Sequence, residues 1–213
     1  MYRLIVVVRD SRSIYSTSFT NVKPGRWFVD LPEPEKVPEL DVPSDGIVCF
    51  VLGARFNHPL GKLAPGVKDI GSMMAKMWDE MERDRFKYGF MGRTRTMVEV
   101  ADTEAITMTW LTYWTDVDKL QKFATSVSHR LGQTAYGTSR YNHVGIMHET
   151  YKAPKGSWES VYLNMRPFGL GSARLPVKTG KDDQKRGDLL REVTLASQQT
   201  LRQRMRGNVV NAP

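Results

Sequence analysis

The sequence predicts an α+β fold of the ferredoxin-like kind, a βαβ unit followed by a second one, and three observations carry that reading. Residues 46–56 (GIVCFVLGARF) form a nearly continuous apolar run of strand length. Two amphipathic helical stretches follow, at 67–88 and from Asp116 onward, each with a β-prone segment after it. The two halves repeat the pattern strand, helix, strand without repeating its residues, which is the layout of a duplicated βαβ fold.

Length and charge bound what surrounds that core. The 213 residues suffice for one sizeable core with arms. A single cysteine, Cys49, cannot form an intramolecular disulfide, and its apolar surroundings suit a core residue. Of the formal net charge of +8, the stretch from Ser172 onward holds nine Lys/Arg against four Asp/Glu, which leaves +5 there. The excess therefore marks a solvated C-terminal tail and not a nucleic-acid surface, since no DNA- or RNA-binding motif accompanies it. The apolar stretch 2–8 is far short of the ~20 residues a membrane span needs, and it lacks a signal-peptide cleavage site. The expectation is a cytoplasmic protein with no stable membrane insertion. It divides into an N-terminal arm and Pro-rich linker (1–45), an α+β domain (46–171) and a basic C-terminal tail (172–213).

Each element has a local reason. Residues 4–8 are β-prone, and 31–43 (LPEPEKVPELDVP) carry four prolines, which fix φ and remove backbone donors, so this stretch is an extended linker. The run 46–56 suits a central strand buried on both faces. Asn57-His58-Pro59 ends it and opens a loop with Gly61, Pro65 and Gly66. In the helix 67–88, Ile70, Met73, Met74, Met77, Trp78 and Met81 recur at three- and four-residue spacing on one face. That methionine stripe suits core packing or an adaptable pocket wall. Residues 94–101 and 104–114 read as a hairpin whose second strand carries large groups on both faces, so both faces are covered. Asp116 is the N-cap of the second helix, which continues through His129. Strands at 143–151 and 158–164 complete the fold.

The residues that could do chemistry come from several of these elements. Imidazole is the side chain best matched to proton transfer near neutral pH, which singles out His129 and His148. His129 near the end of a helix could instead serve as a charged helix cap. His148 and Glu149 are strand neighbours and point to opposite faces, so they are rivals and not a dyad. Glu149 needs a partner, and Arg55 or Arg85 could supply one. Arg55, Asn57 and His58 close the first strand. An asparagine amide and a guanidinium can hold a developing oxyanion, although the same residues also suit a simple turn. Trp78, Trp110, Tyr113, Trp114 and Trp158 could line a flat apolar pocket or pack in the core. No P-loop, dinucleotide GxGxxG, CxxC, HExxH or Gly-x-Ser-x-Gly motif is present, and the four histidines lack metal-ligand spacing.

Four ordered segments carry a resemblance: GARFNHPLGKLAPG, MWDEMERDRFKYGFMG, TYWTDVDKLQKFATSVSHR and NHVGIMHETYKAPKGSWESVYLNMRPFGLG. Together they resemble the DUF4188 family, which includes fungal polyketide monooxygenase-like proteins of antibiotic-biosynthesis-monooxygenase type. The resemblance spans 46–171 and implies a homodimeric α+β barrel of two ferredoxin-like subunits. It implies a secondary-metabolism enzyme that oxygenates an apolar polyketide- or terpenoid-like molecule without a cofactor. The protein would stabilise an enolate or phenolate that gives an electron to dioxygen. His129 or His148 would be the base, with Arg55 and Asn57 holding the anion and His58, Glu149 and the aromatic residues binding substrate. Related barrels keep three other readings open: an isomerase, cyclase or dehydratase using the same base, a haem enzyme of aldoxime-dehydratase type with His129 as axial ligand, and a non-catalytic ligand-binding protein.

Overall fold

The computed structural model describes residues 22–100, 104–179 and 187–193, together with 201 and 205. Its centre is an antiparallel five-stranded sheet. Strands β2 (Ile47–Phe56), β5 (Ile106–Trp114) and β6 (Val144–Ala153) supply the long members. The order is β3-β5-β2-β6, with the short β4 (Met97–Val98) also pairing β5, and β3 spanning Phe90–Arg93. Numbered within the core domain, the strands run second, third, first, fourth, which is the ferredoxin-like arrangement. The apolar run 46–56 is its central strand, paired on both sides with Leu52 opposite Trp110 and His148.

Helices cover one face. Helix α1 (Val67–Arg83) and α3 (Val117–Ala124) press Trp78, Met81, Leu120 and Phe123 onto Val48, Ala54, Trp110 and Trp114. The expected single helix 67–88 breaks at Asp84. A four-residue helix α2 (Arg85–Tyr88) follows and ends at Gly89, whose φ of +62° favours glycine. The Asp116 side chain accepts from Lys119 N at 2.7 Å, as the expected N-cap should. A Thr125-Ser126 break then separates α3 from α4 (Val127–Tyr136), so 116–136 is two helices and not one.

The reverse face of the sheet carries a second core. Strand β1 (Lys23–Val29) lies between β7 (Tyr162–Met165) and β8 (Leu190–Glu192) in a three-stranded antiparallel sheet. Val29, Leu40, Leu170, Leu175, Leu189 and Leu190 pack there against Ile47 and Tyr113. The strand expected at 158–164 therefore begins at Tyr162 and pairs with the arm, not with the central sheet. The Pro-rich linker contributes a 3-10 turn at Pro34–Lys36 and buries Leu40. Asp41 ties it to the helical layer through Lys119 Nζ at 2.5 Å. Within 172–193, the described residues share this core with the arm. The expected strand at 4–8 lies outside the described residues. So do residues 101–103, where the hairpin turn was expected; its first strand is reduced to β4.

Candidate functional site

A cavity of about 660 Å³ lies between the helices and the central sheet. Strand parity builds its floor. Phe50 and Leu52 on β2, Thr112 and Trp114 on β5, and Ile146, His148 and Thr150 on β6 all point to the helical side. The methionines of α1 (Met73, Met74, Met77 and Met81) form one wall with Trp78, so the stripe legible in the sequence is in large part a pocket wall. The other wall comes from α4, where His129, Gly132, Gln133 and Tyr136 follow one another at i, i+3, i+4 and i+7 spacing.

His129 and His148 both face this cavity. His129 is the third residue of α4, and Ser126, the N-cap, accepts from its backbone N–H at 3.4 Å. It therefore sits in the first turn, where the helix dipole opposes a positive imidazole, and the expected role as a C-terminal charged cap does not hold. Burial pushes its pKa below the usual histidine value. The Ala124 carbonyl opposes this and the charge of His148 adds to it. Its Nδ1 is buried with no hydrogen-bond partner among the described residues. Phe123 holds the ring edge-on at 5.6 Å, and His148 stacks on Phe50 at 5.3 Å. Both histidines thus stand against aromatic supports, with His129 kept in the neutral form that can accept a proton.

Other polar groups of the lining are already engaged. Tyr136 Oη donates to the Val144 carbonyl at 2.6 Å, and Trp114 Nε1 donates to Thr112 Oγ1, which itself donates to the Phe50 carbonyl. Gln121, Gln133 and Thr150 complete the polar inventory. Behind α4, the Glu80 carboxylate accepts from Tyr88, Ser128 and Ser126, clamping the first turn of α4 to α1. A haem would need an axial nitrogen and cations for its two propionates. His129 offers the nitrogen, but among the described residues no Lys or Arg lines the cavity, so the donor set they supply does not fit a haem.

The structure divides the expected site residues among four places. His129, His148, Trp78 and Trp114 line the cavity, and Trp110 packs against Trp78 at 6.2 Å just behind it. Arg55 lies on the opposite parity of β2 and does not line it; its Nε donates to Asn57 Oδ1 at 2.9 Å and its Nη1 to Thr107. Beside them, His58 packs edge-on to His143 at 5.5 Å, so the four histidines form two separate pairs. Glu149 points to the open side of β6 and accepts from Tyr151 Oη at 2.5 Å, the partner expected from Arg55 or Arg85. Arg85 instead donates to the Phe90 and Met91 carbonyls. Tyr113 and Trp158 line a different cleft on the reverse face. Gln121, Gln133 and Thr150 were missed. The helical spacing of Gln133 to His129 and the parity of Thr150 with His148 were the available signals.

Residues 47–170 match the family model described as Monooxygenase af470-like. The chain belongs to that family. It is 29% identical over 158 residues to Monooxygenase af470 of Aspergillus fumigatus, an alignment covering 74% of this chain. The chain spans little more than half of that curated relative, 57% of its length. Similar solved structures include SnoaB, a cofactor-independent oxygenase from Streptomyces nogalater, at 19% identity and TM-score 0.35, covering 51% of this chain and 93% of that one. Another is the aldoxime dehydratase OxdRE with butyraldoxime, at 13% identity and TM-score 0.41, covering 70% of this chain and 41% of that one. The matched span coincides with the central sheet and its helices. The expectation of a monooxygenase-type family is met at that level. Among the described residues no helix is long and apolar enough to cross a membrane.

Proposed function

We propose that the chain oxygenates an apolar, enolisable or phenolic small molecule of polyketide or terpenoid type in the helix-side cavity, with dioxygen as the only co-reactant. The observation that carries this reading is the convergence of His129 and His148 on one methionine- and aromatic-lined cavity, with His129 held neutral by burial. A neutral imidazole takes a proton from the substrate, leaving an enolate or phenolate. That anion passes one electron to dioxygen, and the radical pair combines to a carbon-bound peroxide. The imidazolium returns its proton to the distal oxygen. Loss of water, with the second hydrogen of the carbon, leaves a carbonyl. The sum converts CH₂ and O₂ to C=O and H₂O, so no external reductant enters. Dry walls favour the step by excluding protons that would quench the anion, and the Gln121 and Gln133 amides are the lining groups able to donate to it. Two copies pair through the open side of β6, as the resemblance to dimeric barrels implies, and the protein acts in the cytoplasm.

The test uses anthrone, an enolisable tricyclic ketone, with purified colourless protein. Oxygen uptake and solvent-deuterium exchange at the methylene are expected together, and both are expected to fall in His129→Ala and His148→Ala. Uptake that neither substitution changes would sink the proposal. Exchange that continues under nitrogen while the substrate is rearranged would assign the same base to an isomerase.

A further inference from the structure

A second cleft, of about 390 Å³, opens on the other side of the central sheet. Its floor is Cys49 on β2 and Tyr113 on β5, and its roof is the segment carrying Trp158, Tyr162 and Phe168. Parity separates it from the histidine cavity: Cys49 and Tyr113 neighbour Phe50 and Trp114 in sequence but face the opposite way. Among the described residues none that lines it is cationic, and its walls combine the aromatic Tyr113, Trp158, Tyr162 and Phe168 with aliphatic groups and Glu159.

Two phenols, Tyr113 and Tyr162, line the cleft. Tyr162 Oη accepts from Gly171 N at 2.8 Å. The Leu170 backbone N–H favours the ionised form of Tyr113, against a larger opposing effect of burial that pushes its pKa well up. Burial raises Tyr162 likewise. Both phenols therefore keep their protons, and Tyr162 receives a backbone hydrogen bond from the 3-10 turn Gly169–Ser172, against which Tyr113 Oη also packs. That turn needs its glycines. A Cβ on Gly169 would lie 3.0 Å from Tyr113 Oη, and one on Gly171 would lie 2.6 Å from the Tyr162 ring. Among the described residues no group accepts either phenolic proton. A phenol whose oxygen already accepts a hydrogen bond is the stronger donor.

We infer that this cleft is a second small-molecule site, which takes a flat apolar compound through a carbonyl or similar neutral oxygen acceptor. The rings supply the slot and the two phenols supply donors at its end. A carboxylate is disfavoured, because among the described residues no cation lines the cleft and the Glu159 carboxylate does. This site does not depend on the oxygenase reading. It shares no lining residue with the histidine cavity and asks for no reaction.

The test is calorimetric titration of the full chain with 9-fluorenone, a planar ketone, and with fluorene, the same shape without the oxygen. An event that prefers fluorenone over fluorene by about tenfold, the worth of roughly one net hydrogen bond, is expected at the cleft. It should vanish in the Tyr113→Phe, Tyr162→Phe double variant and persist in Leu52→Trp, which fills the histidine cavity. In the unaltered protein, fluorenone should shift the ring-carbon resonances of Tyr113 and Tyr162, which keeps the test decisive if a variant folds poorly. Equal affinity for both probes in the cleft, or unmoved Tyr113 and Tyr162 resonances, would overturn the inference.

Discussion

At the scale of the residue, the decisive pair is His129 and His148, and the physics of each is different. His129 is held neutral by burial at a helix N-terminus, while His148 stands on the exposed edge strand and stacks on Phe50. Removing either imidazole as His→Ala should lower kcat/KM for oxygen uptake by on the order of 10²–10⁴-fold, the usual worth of a general base. On the proposed function, the acid limb of kcat/KM of the unaltered protein should fall below the ordinary histidine value, because the base that must stay neutral is His129, whose pKa burial lowers. Stability follows the same group. The unfolded chain protonates near pH 6.5, whereas the folded chain waits until its lowered value. Between the two the unfolded state binds more protons. Stability should therefore decline as pH drops through 6.5 and level off below the folded value. His129→Gln should flatten that decline in chemical denaturation series at stepped pH, and an unchanged slope would exclude His129 as its source. His129 and His148 were readable as candidates because imidazole is rare in this chain. Their convergence was not, since it depends on which way α4 turns.

At the scale of the element, α4 is the wall that places His129, the proposed base, and no residue of it is fully buried. Its position comes from its first turn, where Ser126 caps the helix and Glu80 of α1 gathers Tyr88, Ser126 and Ser128. Burial opposes the charge of Glu80, but the Ser128 and Tyr88 hydroxyls outweigh it and hold its pKa below the usual carboxylate value. Its contribution is present above the unfolded value of 4.5 and is lost as pH falls through the folded one. Glu80→Ala should cost about 1–3 kcal/mol in denaturant unfolding and let the His129 pKa rise toward its ordinary value, as read by NMR titration. Glu80→Gln, which keeps an acceptor oxygen, should recover most of both. Gly132 in the same helix tests the wall itself. A Cβ there would come 2.9 Å from Met77 Cε, so Gly132→Ala should push Met77 into the cavity. It should raise KM for bulky ligands while adding up to ~1 kcal/mol of helix stability. The helices were legible from spacing, and the Asp116 cap from its residue type. The breaks at Asp84 and Thr125 were not, because the apolar stripe runs on across each of them.

At the scale of the whole molecule, what the sequence concealed was non-local. Leu175, Leu189 and Leu190 sit among the charges that mark a tail, and they are buried because β8 finds β1 more than 150 positions away. Nothing in a local window encodes that pairing, whereas the central sheet announces itself through the long apolar β2. The same assembly leaves one face unfinished. Strand β6 runs for ten residues, pairs only with β2 among the described residues, and is exposed along almost its whole length. Met147 and Tyr151 are 45% and 54% exposed on the side away from the helices. A long edge strand carrying apolar groups is a template for pairing, and a second copy offers the same strand in return. Light scattering should accordingly give the mass of two chains. Met147→Asp with Tyr151→Asp should shift it to one chain, since two facing copies would bring four new carboxylates beside the Glu149 carboxylate of each. Both positions are solvent-exposed in the single chain, so its own unfolding free energy should move by no more than about 1 kcal/mol per substitution, loss of the Tyr151–Glu149 hydrogen bond included. Because both proposed bases, His129 and His148, lie in one chain, the separated chain should retain oxygen uptake, and loss of uptake on separation would show that the partner completes the cavity. A single-chain mass for the unaltered protein would remove the homodimer altogether.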